Sequence, residues 1–429
     1  MSVDRAFLVF AAGVTAAIHV GKLPPALPVL QAELGMTLVQ GGFLLSMVQL
    51  AAVGLGLAVG LAADGLGLRR VMAGGLVLLA VASALGGLVR DPMALLALRA
   101  VEGLGFLFAA TAGPSLIRRL VPPALLPSRL GLWGAYMPLG TSLALLAGPL
   151  WMVAFGWPAW WWLTGALSLL LALALWQWVP ADPAAAAPAP RPAPAPAAIP
   201  ASATAITSGS LPAAMGEPSG TLSASSWRAR LLETLRAPGP WLVALAFAAY
   251  SGQWLSVIGF LPTVYAQSGL APSHAGYASA LVAAMNMVGN IASGRLLQRG
   301  VSPQRLMRVG FGAMAVGAVG LYAPLWPAGP AAFVGPLISV LLFSAVGGLV
   351  PGTLFSQAVR LAPSPGTVST TVGWMQQWSS IGQFAGPPLV AWVASQVGGW
   401  QWSWGVTGLC AVTGLWLAGR IGRERSAGQ

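Results

Sequence analysis

Long apolar stretches separated by short polar or charged segments dominate the chain from residue 6 to residue 420. An α-helix needs about 20 apolar residues to cross the ~30 Å hydrocarbon core of a bilayer. Twelve stretches reach that length, at 6–26, 38–61, 71–89, 93–116, 130–153, 159–178, 239–263, 273–296, 304–325, 331–358, 367–395 and 400–420. The pattern therefore predicts an all-α membrane protein with twelve transmembrane helices, numbered below as spans 1 to 12.

The segment between spans 6 and 7 has a different composition. Residues 181–226 are almost entirely Ala, Pro, Ser, Gly and Thr, so they cannot bury enough apolar surface to pack and are predicted to form a disordered cytoplasmic tether. Trp227, Leu231 and Leu235 then recur at helical spacing, which predicts a short amphipathic helix at the membrane interface over 227–238. The predicted domains are a six-helix bundle at 1–180 and a second at 239–429.

The two halves of the chain repeat each other. Leu27-Pro28 recurs as Leu261-Pro262, Gly42 recurs as Gly276, and Gly60 recurs as Gly294, each at the same separation. Repeated halves in an apolar chain are typical of transporters in which two related bundles rock about a shared site. The repeat therefore predicts two pseudo-symmetric six-helix bundles.

Composition and charge limit the class of protein. The chain is 57% hydrophobic and 7% charged, with a mean hydropathy of +0.77, which exceeds what a soluble core could bury. Its net charge of +12 is spread between the spans, and eighteen of the twenty-one basic residues fall on the side that holds both termini. By the positive-inside rule, both termini are predicted to lie on the cytoplasmic side of a bacterial-type inner membrane. The charge therefore reflects topology and does not indicate a nucleic-acid partner.

The segment between spans 2 and 3 reads Gly60-Leu-Ala-Ala-Asp64-Gly-Leu-Gly67-Leu-Arg69-Arg70. The major facilitator superfamily has the motif Gly-x-Leu-Ala-Asp-Arg-x-Gly-Arg-Arg in this place, and the chain resembles that superfamily along its length apart from the tether. Gly65 and Leu68 depart from the motif, since the family usually has Arg there. One of the usual cationic contacts is therefore expected to be missing.

Two further motifs extend the resemblance. Span 4 contains Arg99-Ala-Val-Glu102-Gly103-Leu-Gly105, similar to the family's Arg-x-x-Gln-Gly-x-Gly with Glu in place of Gln. Span 11 has the spacing of the family's Gly-Pro motif, which is often associated with antiport and is expected here to mark a helix bend; its residues are Gly373, Gly382, Gly386 and Pro387. The glutamate variant and the run that begins at Lys22 most resemble the cyanate permease-type branch, whose members move small solutes, often anions.

The loop between spans 2 and 3 is predicted to be a conformational latch formed by Gly60, Asp64, Gly67, Arg69 and Arg70. Asp64 lies on the face at which span 11 begins, and a carboxylate near a helix N-terminus is stabilised by about 0.3–1 kcal/mol. In the alternative, Asp64 pairs with Arg69 or Arg70 and caps the loop. Because Gln298 replaces the acid in the repeat, the latch is favoured.

Charges inside the spans are the strongest candidates for a site, since each costs about 2.5–3.5 kcal/mol at the bilayer centre. The candidates are Lys22, Arg99 and Glu102. The resemblance implies that spans 1, 4, 7 and 10 line a central cavity, where two cations and one acid would favour an anion. In the alternatives, Arg99 and Glu102 neutralise each other on one helix face, and Lys22 extends to the membrane edge. His19 is either an ordinary interior histidine or a proton relay.

The second half has no charged residue at equivalent depths, so its contribution must be polar or aromatic. Gln253 and Trp254 in span 7 are predicted to face the cavity, although most amides within spans serve as interhelical contacts. Four tryptophans near the start of span 6 are predicted to form an interfacial belt, namely Trp157, Trp160, Trp161 and Trp162.

Together these features predict a secondary active transporter that moves a small anionic organic solute by alternating access, with proton coupling through Glu102 as a hypothesis. The alternatives are a multidrug/proton antiporter that exports lipophilic compounds, and a membrane receptor that does not transport. An enzyme is not indicated, since the spans contain no paired catalytic carboxylates, zinc motif or nucleophile with a base. The expected partners are the solute, the lipid bilayer and protons. Neither a metal nor another cofactor is expected, because Cys410 is the single cysteine and the two histidines lie far apart in the sequence.

Overall fold

The structure is a computed structural model that describes residues 4–181, 227–327 and 331–427, without the side chains of 60–66, 127–128, 331–332 and 424–427. The elements within these ranges are α-helices and short 3₁₀ turns, with no strand among them. Residues 182–226 of the predicted tether lie outside the described residues.

The first half forms spans 1 to 6. Span 1 consists of α1 and α2, span 2 of α3 and α4, span 3 of α5 and span 4 of α6. Span 5 consists of α7 and the first part of α8, and span 6 of the rest of α8, which is broken at Gly156 (φ 77°, ψ 166°). The bounds are α1 Arg5–Gly21, α2 Leu23–Leu34, α3 Leu38–Ser46, α4 Leu50–Leu66, α5 Leu68–Gly86, α6 Pro92–Leu120, α7 Leu126–Trp133 and α8 Tyr136–Trp178.

The second half forms spans 7 to 12 after one short helix, α9. Spans 7, 8 and 9 are α10, α11 and α12, span 10 consists of α13 and α14, and spans 11 and 12 are α15 and α16. The bounds are α9 Trp227–Arg236, α10 Pro238–Gln267, α11 Pro272–Gln298, α12 Pro303–Tyr322, α13 Ala331–Gly347, α14 Leu349–Arg360, α15 Val368–Val397 and α16 Ser403–Ala427. The short helix predicted over 227–238 is present, and its place at the membrane surface stays a prediction.

Nine helical stretches of the described chain are long and apolar enough to cross a membrane. One of them, Arg129–Trp178, has 50 residues and contains two crossings because it is broken at Gly156. The two remaining long helices, α12 with 20 residues and α15 with 30, are more polar but also reach across ~30 Å at 1.5 Å per residue. The prediction of an all-α protein with twelve transmembrane helices is thereby confirmed.

Local sequence signals fix the helix ends. The helices α6, α10, α11 and α12 begin at a proline, which lacks an N–H that would be unpaired in the first turn. The Asp91 carboxylate accepts a hydrogen bond from the Ala94 N–H at 2.7 Å and caps α6. Between α4 and α5, Gly67 has φ 89°, a left-handed conformation that favours glycine. The glycine of the predicted loop motif is therefore needed for the turn itself.

The two halves meet along two interfaces. In one, span 2 (α3 and α4) packs on span 11 (α15), and in the other span 5 (the first part of α8) packs on span 8 (α11). The outer part of span 1, α2, also packs on α10. The residue boundaries predicted for the two bundles, at 180 and 239, stay a prediction.

Repeated glycines form equivalent contacts in the two interfaces. A Cβ on Gly42 of span 2 would lie 2.9 Å from the backbone oxygen of Pro387 in span 11. A Cβ on its counterpart Gly276, in span 8, would lie 2.6 Å from Cγ of Pro149 in span 5. Each interface therefore pairs a glycine of one half with a Gly-Pro segment of the other, as expected if the halves are structural repeats.

An apolar cluster joins the halves near the membrane face opposite the N-terminus. It includes Leu27 and Leu30 of α2, Leu44 of α3, Phe260 of α10 and Val390 of α15, all of them buried. Because the cluster draws on both halves, the bundles are packed together at that face.

Candidate functional site

The four ionisable residues predicted in spans 1 and 4 meet inside the first bundle. His19 and Lys22 come from span 1, and Arg99 and Glu102 come from span 4. All four are at most 2% exposed, so in this conformation they lie within the bundle and are closed to solvent. We call these four residues the charge cluster.

Glu102 is at the centre of the charge cluster. Its Oε1 accepts a hydrogen bond from the Lys22 ammonium, and its Oε2 accepts one from Arg99 Nη1 at 2.5 Å. Residues three apart on a helix are neighbours on one face, so span 4 itself brings Arg99 to Glu102. The pairing of Arg99 with Glu102, considered above as an alternative, is present, and Lys22 joins it from span 1.

Lys22 lies at the junction between α1 and α2. The helix is interrupted there because Pro24 and Pro25 have no N–H groups to continue the backbone hydrogen bonds. The Lys22 ammonium donates to Ser83 Oγ in span 3 at 2.8 Å and lies 4.7 Å from the centre of the Trp161 ring. The alternative in which Lys22 extends to the membrane edge is wrong, since a buried carboxylate, a hydroxyl and an aromatic ring surround its ammonium group.

His19 connects the charge cluster to span 6. Its Nε2 lies 2.7 Å from Ser168 Oγ, and its Nδ1 lies 3.4 Å from Lys22 Nζ and 3.6 Å from Glu102 Oε1. Both ring nitrogens therefore face polar partners, and His19 is part of the cluster.

The charge cluster carries one excess positive charge when His19 is neutral, from two cations and one carboxylate. Removing ions from water is costly unless they are paired and hydrogen-bonded, and Glu102 compensates one of the two cations. Arg99 Nε donates to the Leu44 carbonyl oxygen at 3.3 Å, whereas Arg99 Nη2 is buried with no hydrogen-bond partner among the described residues. An anion with free acceptor atoms would satisfy both the charge and this donor.

The tryptophans at the start of span 6 belong to the surroundings of the cluster. Trp157, Trp160 and Trp161 are at most 3% exposed, and Trp160 Nε1 donates to the Lys22 carbonyl oxygen at 3.1 Å. Trp162 is 47% exposed. The predicted interfacial belt is therefore wrong for the first three, which are buried because span 6 turns them towards spans 1 and 3.

Sequence reasoning missed two residues that contact the charge cluster, Ser83 in span 3 and Ser168 in span 6. Both are fully buried. Serines inside spans are common and give no signal of their own.

The polar residues of span 7 in the second half are uncharged. Gln253 and Trp254 are 1% and 6% exposed, and neither the amide of Gln253 nor the indole N–H of Trp254 has a hydrogen-bond partner among the described residues. Nearby, Asn286 Nδ2 donates to Tyr250 Oη at 2.9 Å and to the Ser344 carbonyl oxygen at 3.1 Å. This second contact set links spans 7, 8 and 10 and fits the role of interhelical contact.

The structure describes only part of the predicted latch. Gly60 and Asp64 belong to α4, but their side chains lie outside the described residues, so the role of Asp64 stays a prediction. Arg69 Nη1 donates to the carbonyl oxygens of Trp176 at 3.2 Å and Val179 at 3.0 Å, at the end of α8. A cation there is favoured by the negative end of the helix dipole, so Arg69 stabilises the junction of spans 3 and 6. The role of Arg70 in the latch also stays a prediction.

The Gly-Pro motif of span 11 lies in close contacts with neighbouring helices. The helix α15 continues without interruption from Val368 to Val397 through Pro387. A Cβ on Gly386 would lie 2.7 Å from Ser256 Oγ of α10, and one on Gly382 would lie 2.8 Å from the Ala248 carbonyl carbon. A Cβ on Gly373 would lie 3.2 Å from Leu57 of span 2. These glycines permit close helix packing, and the predicted bend stays a prediction.

A separate cavity of about 410 Å³ lies within the second half, between the ends of α10 and α12 and the start of α13. Tyr265, Trp326 and Phe333 form part of its wall, and none of the residues that line it is charged. It contains no residue of the charge cluster.

Comparison with known proteins agrees with this architecture. The family model described as Major Facilitator Superfamily matches residues 6–382. A curated relative, the puromycin resistance protein pur8 of Streptomyces alboniger, is 36% identical over 126 residues, which cover 29% of this chain and 25% of that protein. The chain thus matches about a quarter of the length of that relative.

Two solved structures have the same fold. A bacterial homologue of the human lysosomal transporter Spinster, in an inward-facing and occupied conformation, has a TM-score of 0.74 at 15% identity and is matched over 97% of this chain and 96% of that one. The nucleoside transporter NupG has a TM-score of 0.72 at 14% identity, over 97% and 98% of the two chains. At this identity the likeness concerns the fold alone.

Proposed function

The chain belongs to the major facilitator superfamily and is a membrane transporter, and from that premise we propose that it moves a small organic anion by alternating access. The observation that carries the proposal is the charge cluster, in which two buried cations share one carboxylate. In a medium of low dielectric constant, an excess positive charge attracts an anion more strongly than the same charge does in water.

Arg99 is the proposed anion clamp. Its guanidinium already bonds Glu102, yet Nη2 remains without a partner in the described structure. A buried donor without a partner is costly, about 1–3 kcal/mol, and a substrate carboxylate would remove that penalty. On the second bundle, Gln253 and Trp254 are proposed to supply uncharged donors to the same solute when the bundles separate, since their polar groups also lack partners.

Coupling to protons follows from the same charges. Glu102 competes with a substrate anion for Lys22 and Arg99, so any step that weakens its hold on these cations favours substrate binding. A proton that enters the cluster raises its net positive charge and has that effect. We therefore propose co-transport of the anion with a proton, in which each ligand favours binding of the other.

The test is uptake into liposomes that contain the purified protein, with acetate, benzoate, succinate and cyanate as probes. We expect at least one of these anions to be taken up, and Arg99→Met to abolish the uptake. The matched control is Arg90→Met, which removes an arginine that bonds loop carbonyls outside the cluster. Equal uptake by the Arg99→Met and wild-type proteins would contradict the anion clamp.

Export of lipophilic drugs is the second candidate, and the likeness to a puromycin resistance protein favours it. In that case the charge cluster carries protons while the drug binds elsewhere between the two bundles. Vesicles should then transport puromycin or tetraphenylphosphonium against a proton gradient, and small anions should not compete. Puromycin transport that survives Arg99→Met would favour this candidate over anion transport.

The orientation and the latch complete the proposal. With twelve crossings both termini lie on one face, and the distribution of arginines supports a cytoplasmic position for that face. Alkaline phosphatase fused after residue 429 should be inactive, and a fluorescent protein fused there should fluoresce. Asp64→Asn should weaken the latch and raise the accessibility of a cysteine introduced near Gly373, and an unchanged labelling rate would contradict the latch.

A further inference from the structure

The hydrogen bonds of Lys22 determine which nitrogen of His19 carries its proton. An ammonium group has three N–H donors and accepts no hydrogen bond. The Lys22 ammonium has three partners in the first bundle, namely Glu102 Oε1, Ser83 Oγ at 2.8 Å and His19 Nδ1 at 3.4 Å. An Nδ1 that accepts this hydrogen bond presents its lone pair to Lys22, which assigns the proton of the neutral ring to Nε2.

Ser168 completes this assignment from span 6. With its proton on Nε2, His19 donates to Ser168 Oγ at 2.7 Å. The hydroxyl is fully buried, so no solvent competes for the bond. The hydrogen bond of one ring nitrogen sets the state of the other, and Ser168 thus keeps the lone pair of Nδ1 directed towards Lys22 and Glu102.

We propose that His19 is the residue that accepts the transported proton, and that Ser168 is its positioning residue. The proposal rests on the function proposed above and replaces Glu102 as the proton-accepting group. Both oxygens of Glu102 already bond cations, so a proton there would have to displace one and leave two buried cations without a counter-ion. The lone pair of His19 Nδ1 accepts a single hydrogen bond, the longest that Lys22 makes.

Protonation of His19 would change the partner of Glu102. A proton from the aqueous side adds to the Nδ1 lone pair, and no other covalent bond changes. The new N–H faces Glu102 Oε1, 3.6 Å away, while the imidazolium and the Lys22 ammonium now repel each other. Glu102 then pairs with His19 and Arg99, and Lys22 is released to bind the substrate anion. Loss of the proton on the other side of the membrane reverses the exchange.

The groups that face His19 from the surrounding helices support this sequence of events. They are Lys22 on its own span, Glu102 and Arg99 on span 4, and the hydroxyls of Ser83 on span 3 and Ser168 on span 6. Among these groups, His19 Nδ1 is the nitrogen with a lone pair available to a proton. The exchange therefore needs no residue beyond the charge cluster and its two serines.

The chain makes a direct test practical because it contains two histidines, His19 and His274. His274 is exposed at the start of α11, so a His274→Gln protein labelled with ¹⁵N-histidine and placed in lipid nanodiscs reports on His19 alone. At about pH 8 we expect the spectrum of a neutral ring with its proton on Nε2. A ring with its proton on Nδ1 would overturn the assignment.

Serine variants test the positioning role. In the His274→Gln background, Ser168→Ala should shift the Nε2 resonance and reduce the fraction of the Nε2–H form, and Ser168→Thr should restore both. The matched control is Ser256→Ala, which removes an equally buried hydroxyl that bonds a carbonyl of its own helix at 2.7 Å. An unchanged spectrum for Ser168→Ala would overturn the role of Ser168.

Acidification tests the proton-accepting role. Lowering the pH from about 8 to about 5 should convert His19 to the doubly protonated ring, and the change should occur at higher pH when a transported anion such as benzoate is present. A ring that stays neutral throughout would overturn the proposal. The spectrum is recorded without a transport assay, so the two proposals can fail separately. If His19 does not become protonated, the proposal of anion transport still stands. If the Arg99→Met transport test fails, the assignment of the His19 proton is unaffected.

Discussion

Removal of the single carboxylate from the charge cluster should be strongly destabilising. In Glu102→Gln the shape of the side chain is kept, but two cations that are at most 2% exposed lose their counter-ion. Breaking a buried ion pair by removing one partner typically costs about 3–5 kcal/mol, because an uncompensated charge remains. We expect a loss of that size in the free energy of unfolding.

The structure also predicts how this loss depends on Lys22. Lys22→Met leaves the Arg99–Glu102 pair intact and removes the excess charge, so it should cost clearly less than Glu102→Gln. The double variant leaves one buried cation instead of two. Its cost should therefore be smaller than the sum of the single costs by about 1–3 kcal/mol, as found for residues in one charged network.

The assay is equilibrium unfolding in micelles of a mild detergent with increasing SDS, followed by tryptophan fluorescence. Glu33→Gln is the matched control, because it makes the same substitution at an exposed carboxylate that accepts a hydrogen bond from Trp157 Nε1 at 2.8 Å. It should change stability by less than about 0.5 kcal/mol. The reasoning is refuted if Glu102→Gln is as stable as the control, or if the two substitutions are additive.

Three further predictions concern the interfaces and the turn. Gly42→Ala places a Cβ 2.9 Å from the backbone of span 11, so it should destabilise the protein by about 1–3 kcal/mol and slow transport. The control Gly74→Ala, where a Cβ meets nothing within 4 Å, should do neither. Equal effects of the two substitutions would contradict the close contact. Gly67→Ala forces φ 89° on a residue with a side chain and should cost about 1–2 kcal/mol in thermal unfolding; a neutral effect would mean that the turn can relax. Gln49→Leu removes the 3.0 Å hydrogen bond to Gln383 that joins the two halves, and should lower the free energy of unfolding by about 1 kcal/mol. The double variant with Gln383→Leu should recover part of this loss. Additive losses would argue against a direct bond.

Most of the fold could be predicted from the sequence. The apolar stretches predicted twelve spans, because length and hydropathy are local properties and the bilayer imposes one minimum length on every crossing. The broken spans were not foreseen in detail. Span 1 changes from α1 to α2 at Lys22, where the following prolines remove backbone donors. The break of α8 at Gly156, by contrast, lies between the predicted spans 5 and 6 and agrees with their separation.

The site could be predicted in part. Lys22, Arg99 and Glu102 were recognisable because a charge in an apolar span is costly and therefore rare. Their burial was not recognisable, and the membrane edge stayed open as an alternative for Lys22 because depth alone favours that position for a long cationic side chain. Ser83, Ser168 and Trp161 could not be identified, because each becomes a partner only through the rotation of its helix towards span 1.

The sequence by itself determined the number and approximate length of the spans, the repetition of the two halves and the residue types available for a site. The tertiary structure decided which of these residues meet. The pairing of Lys22 with Glu102 depends on the relative depth and rotation of spans 1 and 4, and the contact of Gly42 with Pro387 joins residues from opposite halves. Such contacts are set by the packing of whole helices, which depends on all their side chains at once, so no local pattern in the chain can specify them.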